Sequence, residues 1–153
     1  MEEVPRRKVL AVSSGGGHWV QLLRLVPAFG GCDVVFVTVS EMYRSDVSGR
    51  PFHVVTDATR WNRWRLVQLM FQILGHCWRV RPDVVVSTGA APGLFALAFG
   101  RLLGAKTIWV DSIANVERLS MSGRLARAVA QLWLTQWPHL AREGGPEFAG
   151  RVF

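Results

Sequence analysis

The chain has 153 residues, half of them hydrophobic and 19% charged, which fits a folded domain with a real core and excludes a disordered segment. Its formal net charge is +7, and arginine supplies all but two (Lys8 and Lys106) of the 18 basic side chains. A surface of that kind suits an anionic partner, whether nucleic acid, phospholipid or a phosphorylated substrate.

The first predicted strand is Lys8–Ser13, a nearly continuous apolar run. It opens directly into Ser14-Gly15-Gly16-Gly17-His18, and an amphipathic helix is predicted over 19–29. Gly30-Gly31 lead to a second strand over 33–39, and 40–49 reads as a polar loop. A short third strand falls at 52–56 and a helix at 64–80. Pro82 sets up a fourth strand at 83–87, followed by Gly89-Ala90-Ala91 and a helix over 92–103, with Pro92 as its first residue and Gly104 closing it. A fifth strand spans 106–111, a helix 122–129 and a sixth strand 131–136; residues 142–150 read as a surface tail. The strands are rich in β-branched residues with little alternation, as parallel strands covered on both faces are. The order βαβ…βαβαβ predicts an α/β, Rossmann-like, doubly wound parallel sheet in a single domain over 1–153.

Ligands in such sheets bind beyond the carboxyl ends of the strands, where three loops would converge: 13–18, 87–91 and 111–122. The first ends at a helix start, whose free N–H groups and dipole favour an anion, and glycine lets the backbone approach it closely. Neither a GxGxxG spacing nor a Lys-Ser/Thr pair is present, so the loop is neither a dinucleotide fingerprint nor a P-loop. A tight structural turn is the plainer alternative. His18 could act as a general base or only contact the anion. Asp111, at a strand end, could bind sugar hydroxyls, act as a base, or cap a helix or pair with Arg118.

Arg60, Trp61, Arg63, Trp64 and Arg65 open the helix at 64–80; from Arg60 to Arg81 there are five arginines, three tryptophans and no acid. That mixture suits an anionic membrane interface, against the plain alternative of a crossover helix packed on the sheet. No recognised nucleic-acid module is present, so nucleic acid is not expected as a partner. Cys32 and Cys77 have neither framework nor metal-ligand spacing, and neither metal nor cofactor is implied. No run approaches the ~18 apolar residues of a membrane span, so a cytoplasmic chain is expected.

The stretch Asp111-Ser112-Ile113-Ala114-Asn115-Val116-Glu117-Arg118-Leu119-Ser120-Met121-Ser122-Gly123, with Gln136-Trp137-Pro138 behind it and the glycine loop and Ser87-Thr88-Gly89 before it, resembles a known family. It is similar to the oligosaccharide-biosynthesis proteins of the bacterial PssD type and to the membrane-recruiting subunit of the eukaryotic split UDP-GlcNAc transferase. The resemblance implies the N-terminal, acceptor-binding half of a GT-B glycosyltransferase of the MurG kind. A separate polypeptide would hold the UDP-sugar. It also implies that Ser14, Gly15, Gly16, Gly17 and His18 face the acceptor's pyrophosphate, that Gly89 lines the second turn, and that Asp111, Ser112 and Glu117 meet the acceptor sugar, with His18 or Asp111 as base. The family often carries Glu where Asp111 stands. The expected partners are the donor-site subunit, a polyprenyl-diphosphate-linked saccharide and the cytoplasmic face of the inner membrane, contacted peripherally through Arg60–Arg65 and the helix that follows. Transfer of glucuronic acid or glucose in β-1,4 linkage, during exopolysaccharide or capsule assembly, is the implied reaction. A scaffold that only anchors and activates a catalytic partner is the alternative.

Overall fold

The structure is a computed structural model that describes residues 4–153. Seven parallel strands form one sheet: β1 (Lys8–Ser13), β2 (Asp33–Thr38), β3 (Phe52–Val54), β4 (Val84–Gly89), β5 (Lys106–Val110), β6 (Leu132–Thr135) and β7 (Glu147–Phe148). Their order across the sheet is β3-β2-β1-β4-β5-β6-β7. The α-helices among the described residues are α1 (Gly17–Leu25), α2 (Arg63–Val80), α3 (Ala90–Leu102) and α4 (Met121–Leu125). The chain winds outward from β1 in one direction and from β4 in the other, so the order reverses between them. This is the doubly wound Rossmann-like architecture that the strand pattern predicts.

The apolar strands are explained by a core on each face. Leu10, Val12, Val85 and Trp109 face a layer that includes Leu69, Ile73 and Cys77 of α2 and Ala96 and Leu97 of α3. Val9, Ala11, Phe36 and Val86 face the other layer, with Trp19 and Leu22 of α1 and Val47 and Phe52. Successive β1 residues therefore point into different cores, and neither parity can be polar. Burial pushes the Cys77 thiol up to about 11, so it packs as a small apolar group.

Several boundaries differ from the sequence reading. The first helix becomes a 3₁₀ turn at Val26–Phe29, where Pro27 cannot donate into an α-helical ladder. α3 begins at Ala90, which has φ +67°, so Pro92 is its third residue rather than its first; an N–H is dispensable there as well. The polar segment after β2 is a 3₁₀ helix, Glu41–Val47, whose Val47 is buried and whose Ser40 side chain caps its start. The tail contains β7, paired with Leu134 and Thr135. Two residues are too few for an apolar period to announce a strand.

Candidate functional site

The strand order reverses between β1 and β4, and ligands in sheets of this kind bind beyond their carboxyl ends. The glycine loop leaves β1 there, and the Thr88-Gly89 turn leaves β4. His18 and Thr88 join them: His18 Nδ1 lies 3.0 Å from the Thr88 carbonyl, and Thr88 Oγ1 donates to the His18 carbonyl at 2.6 Å. A carbonyl only accepts, so Nδ1 is the donor, and in the neutral ring it is Nε2 that carries the lone pair. Nε2 has no hydrogen-bond partner among the described residues. Gly89 is required beside it. Its φ is +151°, and a Cβ there would fall inside contact distance of the His18 ring.

Gly16 caps α1 at φ +65° without a side-chain cap, and no acid stands in the first turn. Its N–H does not point at an empty site, because it donates to Tyr43 Oη at 2.8 Å. The N–H groups of Gly17, His18 and Trp19 have no partner among the described residues. These three are the open donors of the helix start, with the positive end of the helix dipole behind them. Ser14 and Gly15 are half-buried, and Gly15 lies so near the Tyr43 ring that a Cβ would meet its hydroxyl at 3.0 Å. Tyr43 stacks on Trp19, centroids 5.3 Å apart, and Trp19 Nε1 donates to Asp46 at 2.8 Å. Tyr43 is thus part of the loop. The signal in the sequence is that it is the chain's only tyrosine and stands within the mostly polar segment 40–49.

The third loop is joined to α1 through buried amides. Gln21 of α1 donates to the Gly17 carbonyl and to Ser112 Oγ, and accepts from the Ile113 N–H and from Gln136 Nε2. Gln136 also donates to the Asp111 carbonyl at 3.0 Å and accepts from the Val152 N–H at 3.0 Å. The terminal segment is therefore held by Gln136 and by Arg24, which donates to the Val152 carbonyl and lies over the Phe153 ring.

Asp111 and Ser112, expected to meet the acceptor sugar, are both buried in the third loop. Asp111 is only 1% exposed, and its carboxylate accepts four hydrogen bonds, from Trp109 Nε1, Asn115 Nδ2, the Ser120 N–H and Ser120 Oγ. A carboxylate so filled organises its own loop and leaves little lone-pair capacity for a substrate proton. Ser112 is buried, its hydroxyl accepting from Gln21 and from the Ala114 N–H. Glu117 is exposed and lines a separate cavity with Arg118, Arg124, His139 and Arg142.

Arg60, Trp61, Arg63, Trp64 and Arg65 are all exposed around the start of α2, which Asn62 caps by accepting from the Arg65 N–H. The apolar surface reaches further than those residues. Trp64, Val67, Phe71 and Trp78 lie along the outer side of α2, and Trp64 is 85% exposed. Leu69, Ile73 and Cys77 pack inward, so α2 is apolar on two faces. Arg60 lies over Trp61 and Arg81 over Trp78, so cations border both ends of the outer stripe. No helix among the described residues is long and apolar enough to cross a membrane.

The fold and the paired loops together define a doubly wound α/β protein with a glycine-rich helix start at its topological switch point. Among solved structures, MurG of Acinetobacter baumannii has the same fold, with a TM-score of 0.77 at 15% identity over 95% of this chain and 46% of that one. The UDP-GlcNAc 2-epimerase of Methanocaldococcus jannaschii follows at 0.66 and 13%, over 86% of this chain and 39% of that one. The chain spans less than half of either structure. It belongs to the Alg14 family, whose model, described as oligosaccharide biosynthesis protein Alg14 like, matches residues 55–152. The human UDP-N-acetylglucosamine transferase subunit ALG14 is 30% identical over 99% of this chain and 87% of its own length. The subunit of the same name from Eremothecium gossypii is 28% identical over 90% and 76%.

Proposed function

We propose that this chain is the acceptor-binding, membrane-associated subunit of a split glycosyltransferase, which moves a sugar from a UDP-sugar onto a polyprenyl-diphosphate-linked saccharide. The observation that carries it is the His18–Thr88 pair beside three free helix N–H groups at the switch point, in a chain whose relatives are named transferase subunits. The N–H groups of Gly17, His18 and Trp19 hold the acceptor's diphosphate. His18 Nε2 takes the proton of the attacking hydroxyl. The acceptor oxygen then bonds to the anomeric carbon, the bond from that carbon to the UDP oxygen breaks with its electron pair, and configuration inverts. A partner chain supplies the UDP-sugar site. The outer face of α2, with its arginine and tryptophan flanks, rests on the anionic cytoplasmic face of the membrane where the acceptor resides.

The names of the relatives make N-acetylglucosamine the first donor to test, with glucuronic acid and glucose next and β-1,4 as the linkage to look for. The test is co-purification of the chain with the product of a neighbouring gene that encodes a nucleotide-sugar-binding half, followed by transfer assays with each UDP-sugar. Activity in the pair and none in either chain alone is expected. Full turnover by this chain alone would overturn the split. Wild-type turnover by a pair carrying His18→Ala would leave the scaffold reading in its place.

A further inference from the structure

The cavity beside Glu117 has a chemistry that the glycine loop does not explain. It measures about 280 Å³ and is lined by Arg118, Arg124 and Arg142, with His139 and Glu117. None of the three arginines forms an ion pair among the described residues. From Glu117 to Arg142 the sequence holds four arginines and one acid, Glu117, so the cavity is cationic by composition. Its walls are braced. Trp137 Nε1 donates to the Ile113 carbonyl at 2.7 Å, and His139 Nε2 donates to the Val116 carbonyl, so the segment after β6 is tied to the segment after β5. Gly145 leaves space for the Arg142 side chain, which lies where a Cβ would stand.

Position adds to this. The lining segments leave the carboxyl ends of β5 and β6, on the same edge of the sheet as the glycine loop. They lie two to three strand spacings from β1, about 10–15 Å. Guanidinium groups bind phosphate oxygens through paired N–H donors, which suits a diphosphate better than a single carboxylate.

We propose that this cavity is a second oxyanion site, built for a diphosphate ester and separate from the glycine loop. Its assignment to a substrate of the transfer reaction rests on the glycosyltransferase reading. The acceptor's diphosphate is already assigned to the glycine loop, so the diphosphate that reaches this cavity is that of the UDP-sugar, whose nucleoside the partner chain holds. The arginines then face the oxygen that takes the electron pair as the anomeric bond breaks, while the acceptor proton goes to His18.

The full chain is titrated with inorganic pyrophosphate in a calorimeter. Arg118→Gln with Arg142→Gln should weaken binding at least tenfold. Arg7→Gln with Arg127→Gln, which removes the same charge elsewhere, should change it less than twofold. Equal binding by the first variant, or an equal loss in the second, overturns the site; Arg124→Gln replaces the first variant if that one does not fold. In the reconstituted pair, a raised donor KM with the acceptor KM unchanged assigns the site to the UDP-sugar, and a raised acceptor KM alone overturns that assignment. Unchanged KM and kcat overturn the substrate role. A wild-type pair without transfer activity overturns the transferase reading, and the pyrophosphate result stands apart from it.

Discussion

His18 and Thr88, seventy positions apart, hold each other by two hydrogen bonds, ring to carbonyl at 3.0 Å and hydroxyl to carbonyl at 2.6 Å. The first fixes which ring nitrogen is free, and the second fixes the turn of helix that carries the ring. His18→Ala should lower kcat of the reconstituted pair by about 10²–10⁴ with the protein still folded. Thr88→Val keeps the carbonyl that orients the ring and removes only the hydroxyl. It should cost about 1 kcal/mol of stability and a much smaller part of kcat. Steady-state kinetics with a thermal melt separates the two.

Tyr43 accepts the Gly16 N–H and packs against Trp19. Tyr43→Phe keeps the stacking and leaves that N–H to water, at a cost of about 1 kcal/mol. The expected outcome is a raised acceptor KM with the donor KM unchanged, since the loop and not the partner's site is loosened. A donor KM that rises equally would contradict this placement.

Asp111 should behave as a structural carboxylate. Asp111→Asn places an amide donor among four donors, and one or more buried N–H or O–H groups lose their acceptor. A loss of about 1–3 kcal/mol is expected in denaturant unfolding. At temperatures where the variant is folded, its kcat should stay within a few-fold of wild type. A folded variant with kcat reduced a hundredfold would restore Asp111 to the chemistry.

The outer stripe of α2 should bind vesicles. Replacing Trp64, Phe71 and Trp78 together by serine is expected to abolish flotation with vesicles rich in anionic lipid. These side chains are exposed, so the melting temperature should hardly move. Arg63→Gln with Arg65→Gln should weaken binding by ~1 kcal/mol per charge, and more at low salt than at high.

His53 of β3 and His76 of α2 lie with ring centroids 4.7 Å apart. Burial lowers both pKa values below the ordinary 6.5; Arg79 then Arg44 add to this at His53, and His53 then Arg79 at His76. The unfolded chain therefore binds protons first as pH falls. Stability is full above about pH 6.5 and declines below it. Melting temperatures measured from about pH 7.5 down to about pH 5 should fall, and should fall less in His76→Gln.

The fold was legible because each strand must satisfy two cores at once. β1 reads Val-Leu-Ala-Val with no polar parity, and the helices between strands carry their own period, so a parallel doubly wound sheet follows from residue types alone. The glycine loop was legible for a similarly local reason: three glycines between an apolar run and an amphipathic helix leave backbone N–H groups free. Residue type did not reveal the role of Asp111. A carboxylate at a strand end reads the same in sequence whether it faces substrate or four internal donors. That role depends on Trp109, Asn115 and Ser120, whose positions only the folded loop sets.

The sequence by itself determined the sheet, the glycine-rich helix start and the cationic, tryptophan-rich approach to α2, because each rests on neighbours within a few residues. Tertiary structure decided which groups work together. It paired His18 with Thr88, set Tyr43 on the Gly16 N–H, joined Gln21 to Gln136 across 115 positions, and turned a second apolar face of α2 outward. Hydrogen bonds of that reach are fixed by the register of strands and the packing of helices, and no local period encodes them.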